Sequence, residues 1–138
     1  MPPSTHRLAN GGVIRVWRGA LGGADQVASA QQFLEIDDTG DVKYAIVDYR
    51  RVTSAALRPA DARRVAEINR RLGPIRVAAI APQDVVYGFG RMVELTRGDE
   101  AAWKVHVART ADEAIAWLEG ELPDLDFTET RRVLDTLT

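Results

Sequence analysis

The stretch Tyr44-Ala45-Ile46-Val47-Asp48 is a short, nearly continuous apolar run that ends at a carboxylate. A second run, Ile75–Ala81, has the same character and is rich in Val, Ile and Ala. Strands that are covered on both faces of a sheet read as continuous apolar runs, and such strands are typical of parallel sheets. We therefore predict that these two runs form parallel strands in the interior of a sheet.

Helical patterns separate and follow these two strands. A hairpin is predicted over Leu8–Trp17, because Asn10-Gly11-Gly12 supplies residues that tolerate a positive φ. The predicted order is β–β–α–β–α–β–α–β–α with a last short helix after it, and alternation of strands and helices favours right-handed crossovers and a mostly parallel sheet. The other predicted elements are helices at 24–36, 59–72, 82–96, 110–122 and 128–137 and a strand at 103–107. The fold class is therefore α/β, with a mixed, mostly parallel central sheet, an N-terminal hairpin and covering helices.

Length and composition fit one ordinary globular unit. The chain has 138 residues, of which 46% are hydrophobic and 28% charged. This length predicts a single domain over 1–138, with its core at about 5–122 and a C-terminal extension at 123–138. No apolar run approaches the roughly 20 residues that cross a bilayer, and no secretory signal is visible, so we expect a cytoplasmic protein without a membrane partner.

The composition also excludes several kinds of chemistry. The chain has no cysteine, which removes disulfides, thiolate zinc sites, iron–sulfur clusters and cysteine nucleophiles. Its net charge of −2 predicts no general attraction to nucleic acid. His6 and His106 are the only histidines, and two distant histidines do not make a metal site. We expect no metal, no cofactor and no catalytic residue.

Charge is unevenly distributed along the chain. Eight arginines lie within residues 50–76, whereas the stretch 112–129 is acidic. Charge runs of this kind usually mark solvated helix surfaces. Self-association or an acidic partner is the alternative interpretation, and the sequence leaves both open.

Three stretches together resemble a known family. They are Tyr44-Ala45-Ile46-Val47-Asp48-Tyr49-Arg50-Arg51-Val52-Thr53, Arg76-Val77-Ala78-Ala79-Ile80-Ala81-Pro82 with Val86-Tyr87-Gly88-Phe89-Gly90-Arg91-Met92 behind it, and Ala108-Arg109-Thr110-Ala111-Asp112-Glu113-Ala114-Ile115-Ala116-Trp117-Leu118. The chain resembles the small SpoIIAA-like proteins of the STAS (sulfate transporter and anti-sigma factor antagonist) superfamily over about residues 5–120. The resemblance implies a mixed sheet backed by helices and a regulatory, non-enzymatic role.

The resemblance also implies a place for a phosphoacceptor. In anti-sigma factor antagonists a Ser or Thr follows an aspartate after the central strand and begins the next helix. Thr53 and Ser54 are hydroxyls in the matching region, so they are candidate phosphoacceptors. The Asp-Ser pair itself is absent, and Ala55-Ala56 follows instead. Turn or capping chemistry is the alternative role for both hydroxyls.

Candidate binding residues lie around the end of the first buried strand. Ligands of open α/β sheets gather beyond the carboxyl ends of the strands, which makes Asp48 a candidate contact. Arg50 and Arg58 are close to it in sequence, and Arg91 lies on the predicted helix after the second buried strand. We predict a ligand- or partner-binding rim from these four residues. Ordering of the loop by Asp48 and a surface ion pair of Arg91 are the alternatives.

The leading functional interpretation is a non-enzymatic regulatory or interaction module that docks a protein or a small ligand at this rim. The alternative is a carrier or sensor of a small apolar molecule, which rests on analogy with lipid-binding domains of the Sec14 type. Gly88 and Gly90 do not form a dinucleotide fingerprint, because they lie inside a predicted helix and a third glycine is missing.

A homodimer is also predicted. Val85, Phe89 and Met92 form an apolar stripe on the helix that contains Gly88 and Gly90. If that stripe is surplus to the core, it marks an interface between two copies of the chain. The alternative is that the glycines admit a large neighbour such as Trp103 or Trp117.

Overall fold

The computed structural model describes residues 3–37 and 40–137, which form five strands and five helices. The strands are β1 (Ser4–Arg7), β2 (Gly12–Gly22), β3 (Tyr44–Ala56), β4 (Arg76–Ile80) and β5 (Lys104–Ala108). The helices are α1 (Gly23–Ile36), α2 (Pro59–Asn69), α3 (Asp84–Thr96), α4 (Ala111–Glu121) and α5 (Thr128–Thr136). The predicted α/β class is confirmed, as is the order of the elements.

The strands form one mixed sheet in the order β1-β2-β3-β4-β5. β1 pairs with β2 in antiparallel fashion, and the pairs β2–β3, β3–β4 and β4–β5 are parallel. The predicted parallel, interior position of β3 and β4 is confirmed. Ile46 and Ile80 have no solvent-exposed surface, as strands covered on both faces require.

Each face of the sheet carries its own helical layer. The face that bears Ile14, Tyr44, Ile46 and Ile80 packs against buried residues of α4 and α5. The opposite face packs against buried residues of α1, α2 and α3. The two side-chain sets alternate along each strand, because successive residues of a strand point to opposite faces.

The N-terminal hairpin differs from the prediction in its boundaries. Its turn comprises residues 8–11, where Leu8 N–H donates to the Gly12 carbonyl oxygen over 2.9 Å. Gly12 is required by packing, because a Cβ at this position would lie 2.1 Å from the ring of Tyr44. A strand therefore begins at a residue that the sequence assigned to the turn.

β2 and β3 are longer than predicted, and both continue past the end of β4. β3 was expected to end near Asp48, but it continues to Ala56 while it pairs with β2. Two register shifts in β2, one of them at Gly19 with φ +72°, accompany this extension. The polar residues within 50–54 belong to a strand because pairing with β2 satisfies the hydrogen bonds of their backbone groups.

The segment 123–138, expected as an extension of the core, contributes buried residues within its described part, 123–137. Phe127, Thr130 and Leu134 are buried against the sheet. The Thr130 hydroxyl lies 2.8 Å from the hydroxyl of Tyr44, which fixes α5 to the start of β3. This segment closes one face of the sheet.

Candidate functional site

Asp48 and Arg50, two of the four predicted rim residues, form a buried pair. The Asp48 carboxylate accepts from the backbone N–H of Arg50 at 3.0 Å and from its Nη2 at 2.9 Å. Arg50 Nη2 also donates to the carbonyl oxygen of Leu134 at 2.9 Å. Asp48 is fully buried. The pair therefore connects β3 to the C-terminal end of α5. No loop follows Asp48, because β3 continues to Ala56, so the loop-ordering role that the sequence left as the alternative does not apply.

The other two rim residues lie at different helices. Arg58 precedes α2 and lies 3.6 Å from Asp61, whereas Arg91 lies on α3 and pairs with Glu94. Among the described residues, no hydrogen bond or ion pair joins either arginine to Asp48 or Arg50. The structure thus places the four predicted residues without assembling them into one site.

Thr53 and Ser54 lie on the extended part of β3, and both are exposed. Ser54 pairs with Ala20 of β2, and the next helix begins only at Pro59. Asp61 accepts the backbone N–H of Arg58 at 3.0 Å, so a carboxylate of the chain already caps that helix. The resemblance implied that a phosphoacceptor begins the next helix. Thr53 and Ser54 do not occupy that position, because they lie on a strand.

A cavity of about 100 Å³ lies between the sheet and the layer formed by α1, α2 and α3. Most of its lining is apolar, and representative side chains are Val47, Val77, Ala79, Val86, Phe89 and Val93. An engineered cavity of about 150 Å³ takes up benzene, so this space is of the order of a small organic group.

The arrangement of the helices explains the space. α2 packs mainly against α1 and α3 rather than against the sheet, so the middle of this layer stands away from the strands. Ala45 and Ala79 supply only methyl groups beneath it. Val47 and Val77 are only partly buried although they lie on interior strands. The gap therefore leaves these two side chains accessible.

Arg15 is the charged residue of this cavity. It lies on β2, is 3% exposed and donates from Nη1 to the Ser29 carbonyl oxygen at 3.0 Å and to the Ser29 hydroxyl at 2.8 Å. Its Nη2 donates to Gln32 Oε1 at 2.6 Å, and its guanidinium carbon lies 5.8 Å from the centre of the Phe33 ring. Burial lowers the pKa of Arg15, although the nearby Tyr49 opposes that shift.

Two features make Arg15 unusual. Within residues 3–37 and 40–137, no Asp or Glu forms an ion pair with it, and its Nε has no hydrogen-bond acceptor. Buried charges in proteins are normally paired, because an isolated charge in an apolar medium is costly. The cavity therefore holds a cation whose hydrogen-bonding capacity is not filled by the described chain.

Gln26 of α1 and Tyr49 of β3 adjoin this arginine. The Tyr49 hydroxyl donates to Gln26 Oε1 at 2.9 Å, which leaves Gln26 Nε2 without an acceptor among the described residues. Burial raises the pKa of the Tyr49 phenol well above its ordinary value, so the phenol remains a donor at neutral pH. Trp103, just before β5, also lines the cavity, and its Nε1 lacks an acceptor in the same part of the chain.

The sequence did not lead us to predict that Arg15, Gln26 and Trp103 lie around one cavity. One feature of the sequence did indicate Arg15. Arg15 interrupts the stretch Val13-Ile14-Arg15-Val16-Trp17, whose other members are all apolar, and both faces of that strand are covered. A charged residue inside a doubly covered strand indicates a functional position.

Of the α3 stripe proposed as a dimer interface, Phe89 is not surplus surface. Phe89 is 7% exposed and lines the cavity, so it packs toward the sheet. Gly90 allows close approach of Val107, since a Cβ there would lie 2.8 Å from Val107 Cγ2. The neighbour is thus a valine rather than either tryptophan. Val85 is exposed, and the homodimer itself stays a prediction.

The described residues were also compared with what a histidine site, a metal site or a membrane span requires. His106 stacks on the ring of Trp117 with a centroid separation of 5.3 Å. Residues 3–37 and 40–137 contain no group of three or more His, Asp or Glu side chains arranged to hold a metal ion. Within the same ranges, every helix is too short or too polar to span a membrane.

Comparison with known proteins identifies the fold. No family model matches the chain, and no curated protein matches it. An uncharacterised protein of the DUF3478 family from Shewanella loihica PV-4, with a SpoIIAA-like fold, superposes with a TM-score of 0.50. It is 15% identical, and the match covers 84% of this chain and 91% of that one. The anti-sigma factor antagonist SpoIIAA in its unphosphorylated form matches with a TM-score of 0.49 and 13% identity, over 86% of this chain and 98% of its own. The protein thus has the SpoIIAA-like fold that its sequence resembles.

Proposed function

We propose that the protein is a non-enzymatic regulatory module that binds a small, largely apolar ligand in the cavity beneath α1, α2 and α3. The observation that carries this proposal is the cavity itself, about 100 Å³ of space between an apolar sheet face and three helices. Protein interiors are normally packed without voids larger than a water molecule. Apolar pockets with a few convergent polar groups are the usual sites of small ligands.

The predicted rim has less support as the ligand site. Asp48 and Arg50 use their polar groups on each other and on α5, and Arg58 and Arg91 each pair within a neighbouring turn. The cavity instead gathers groups that lack partners. The proposal therefore moves the ligand from the rim to the space under the helices.

α2 lies between the cavity and the solvent, so it can couple ligand binding to the binding of a partner protein. Val65 and Asn69 of α2 line the cavity, while Arg63 and Arg64 on the same helix are exposed. A ligand that changes the position of α2 changes the position of this basic surface as well. We propose that an acidic surface of a partner protein reads that change, since opposite charges favour encounter between proteins.

A binding experiment tests the cavity. Backbone amide NMR spectra of the protein are recorded with benzene, toluene or xenon at increasing concentration. The expected result is a saturable shift of amide signals at cavity residues such as Val47, Val77 and Phe89. Native mass spectrometry of the freshly purified protein checks in parallel for a retained ligand.

Two matched variants control this experiment. Ala79→Leu fills the cavity from β4 and is expected to abolish the shifts, whereas Ala116→Leu adds the same atoms to an exposed position on α4 and is expected to preserve them. Absence of saturable shifts in the wild-type protein with every probe would contradict the proposed function.

A further inference from the structure

Three residues that line the cavity carry buried hydrogen-bond donors without a partner in the described part of the chain. Among the described residues, five buried side-chain atoms lack a partner, and three of them belong to cavity-lining residues: Arg15 Nε, Gln26 Nε2 and Trp103 Nε1. All three are N–H donors. Buried polar groups of native proteins are hydrogen-bonded in the great majority of cases. Buried donors without partners beside a cavity fit a ligand that brings acceptors.

The positive charge of Arg15 favours a negatively charged acceptor in the ligand. Its recorded partners are the Ser29 carbonyl and hydroxyl oxygens and the Gln32 amide oxygen, all of which are neutral. A guanidinium is strongly complementary to a carboxylate, which accepts hydrogen bonds but donates none when ionised. An anionic oxygen at Nε would supply both the missing acceptor and the missing counter-charge.

The position of the donors orients the ligand. Arg15 lies on β2, Gln26 lies on α1, and Tyr49 on the adjacent β3 links to Gln26 through its hydroxyl. Trp103 precedes β5, at the opposite side of the parallel part of the sheet. The anionic group therefore belongs at the β2–α1 end, and the apolar lining between the two ends receives the body of the ligand.

We propose that the ligand is a small monocarboxylate with a short apolar body, bound with its carboxylate against Arg15 and Gln26. This inference rests on the proposed function and specifies the ligand of the same cavity. The cavity volume of about 100 Å³ restricts the body to roughly the size of a benzene ring or a short branched alkyl chain.

The experiment compares an acid with its neutral analogue. Benzoate and benzyl alcohol share a phenyl body and have a similar size, and the wild-type protein is titrated with each at fixed ionic strength while amide NMR signals are followed. The expected result is at least tenfold tighter binding of benzoate, with shifts at Val47 and Ala79. Isovalerate and isoamyl alcohol repeat the comparison with an aliphatic body.

Variants of two arginines on one strand locate the effect. Arg15→Met is expected to lose the tenfold preference for benzoate while it keeps the weaker binding of benzyl alcohol. Arg18→Met, at an exposed position of β2, is the matched control and is expected to keep the preference. Arg15→Lys retains the positive charge and is expected to recover part of it, which also covers the case in which Arg15→Met does not fold.

The possible results separate the two proposals. Equal or tighter binding of benzyl alcohol to the wild-type protein would overturn the monocarboxylate while the apolar cavity function stands. Failure of every probe to bind in the cavity would overturn both. Benzoate shifts confined to the exposed arginines of α2 would also overturn the assignment to Arg15.

Discussion

The two faces of the sheet are built differently. The face under α4 and α5 bears Tyr44, Ile46 and Ile80, all with essentially no exposed surface, and it is filled by large side chains. The face under α1, α2 and α3 bears Ala45 and Ala79 at its centre and leaves a partly open cavity. One face therefore supplies stability by close packing, whereas the other leaves room and unpaired donors for binding.

The largest expected effect is loss of packing on the filled face. Ile80→Ala or Ile46→Ala is expected to lower the free energy of unfolding by about 4 kcal/mol, because each removes buried methyl groups and leaves a void. Val77→Ala on the cavity face is expected to cost only about 1 kcal/mol, since its side chain already borders empty space. Urea denaturation measures the three variants. Equal losses at Ile80 and Val77 would mean that the two faces are packed alike.

The pair of Asp48 and Arg50 within β3 gives the next effect. Asp48→Ala leaves the guanidinium of Arg50 beside α5 without its carboxylate, and we expect a loss of about 3 kcal/mol. Asp112→Ala, which removes an exposed carboxylate near Arg131, is the control and is expected to change stability little. Denaturation midpoints test the pair of variants. A negligible loss of unfolding free energy for Asp48→Ala would make this residue a candidate ligand contact again.

Alkaline pH tests the polar part of the cavity face. Burial raises the pKa of Tyr49 above the value of about 10 that it has in the unfolded chain. Above pH 10 the unfolded state therefore loses this proton while the folded state keeps it, so stability falls as pH rises. Up to about 1.4 kcal/mol should be lost per pH unit from this group.

Tyr49→Phe provides the comparison for that pH dependence. The variant lacks the ionisable phenol and should have a shallower fall in unfolding free energy between pH 10 and 11. The Tyr44 phenol on the filled face also has a raised pKa because of burial, so Tyr44→Phe tests the other face in the same way. Parallel pH profiles for wild type and Tyr49→Phe would show that Tyr49 ionises normally.

The smallest effect is expected at the residue most important for binding. Arg15→Met removes a buried charge that has no acidic partner among the described residues, and an isolated charge in an apolar medium is costly, so its removal offsets the loss of its hydrogen bonds to Ser29 and Gln32. The unfolding free energy without ligand should therefore stay within about 1 kcal/mol of wild type or rise. A loss of several kcal/mol would assign Arg15 a structural role and weaken the binding proposal.

Much of the fold was predictable from local pattern. The continuous apolar runs at 44–47 and 75–81 predicted interior parallel strands, because only strands covered on both faces tolerate such composition. The helix predicted at 110–122 is α4, and Thr110 caps it, since its hydroxyl accepts the Glu113 backbone N–H at 3.2 Å. The continuation of β3 to Ala56 was not predictable, because its polar residues are held in a strand by pairing with β2.

The sequence by itself determined the α/β class, the interior strands and the absence of cysteine chemistry, since these depend on composition and on neighbouring residues. Only the tertiary structure decided the candidate site. Arg15, Gln26 and Trp103 come from separate elements and meet around one space only because α2 stands away from the sheet. Packing also decided that Asp48 binds Arg50 and that Phe89 faces inward. No local pattern encodes those distances, because they depend on how whole helices rest on the strands.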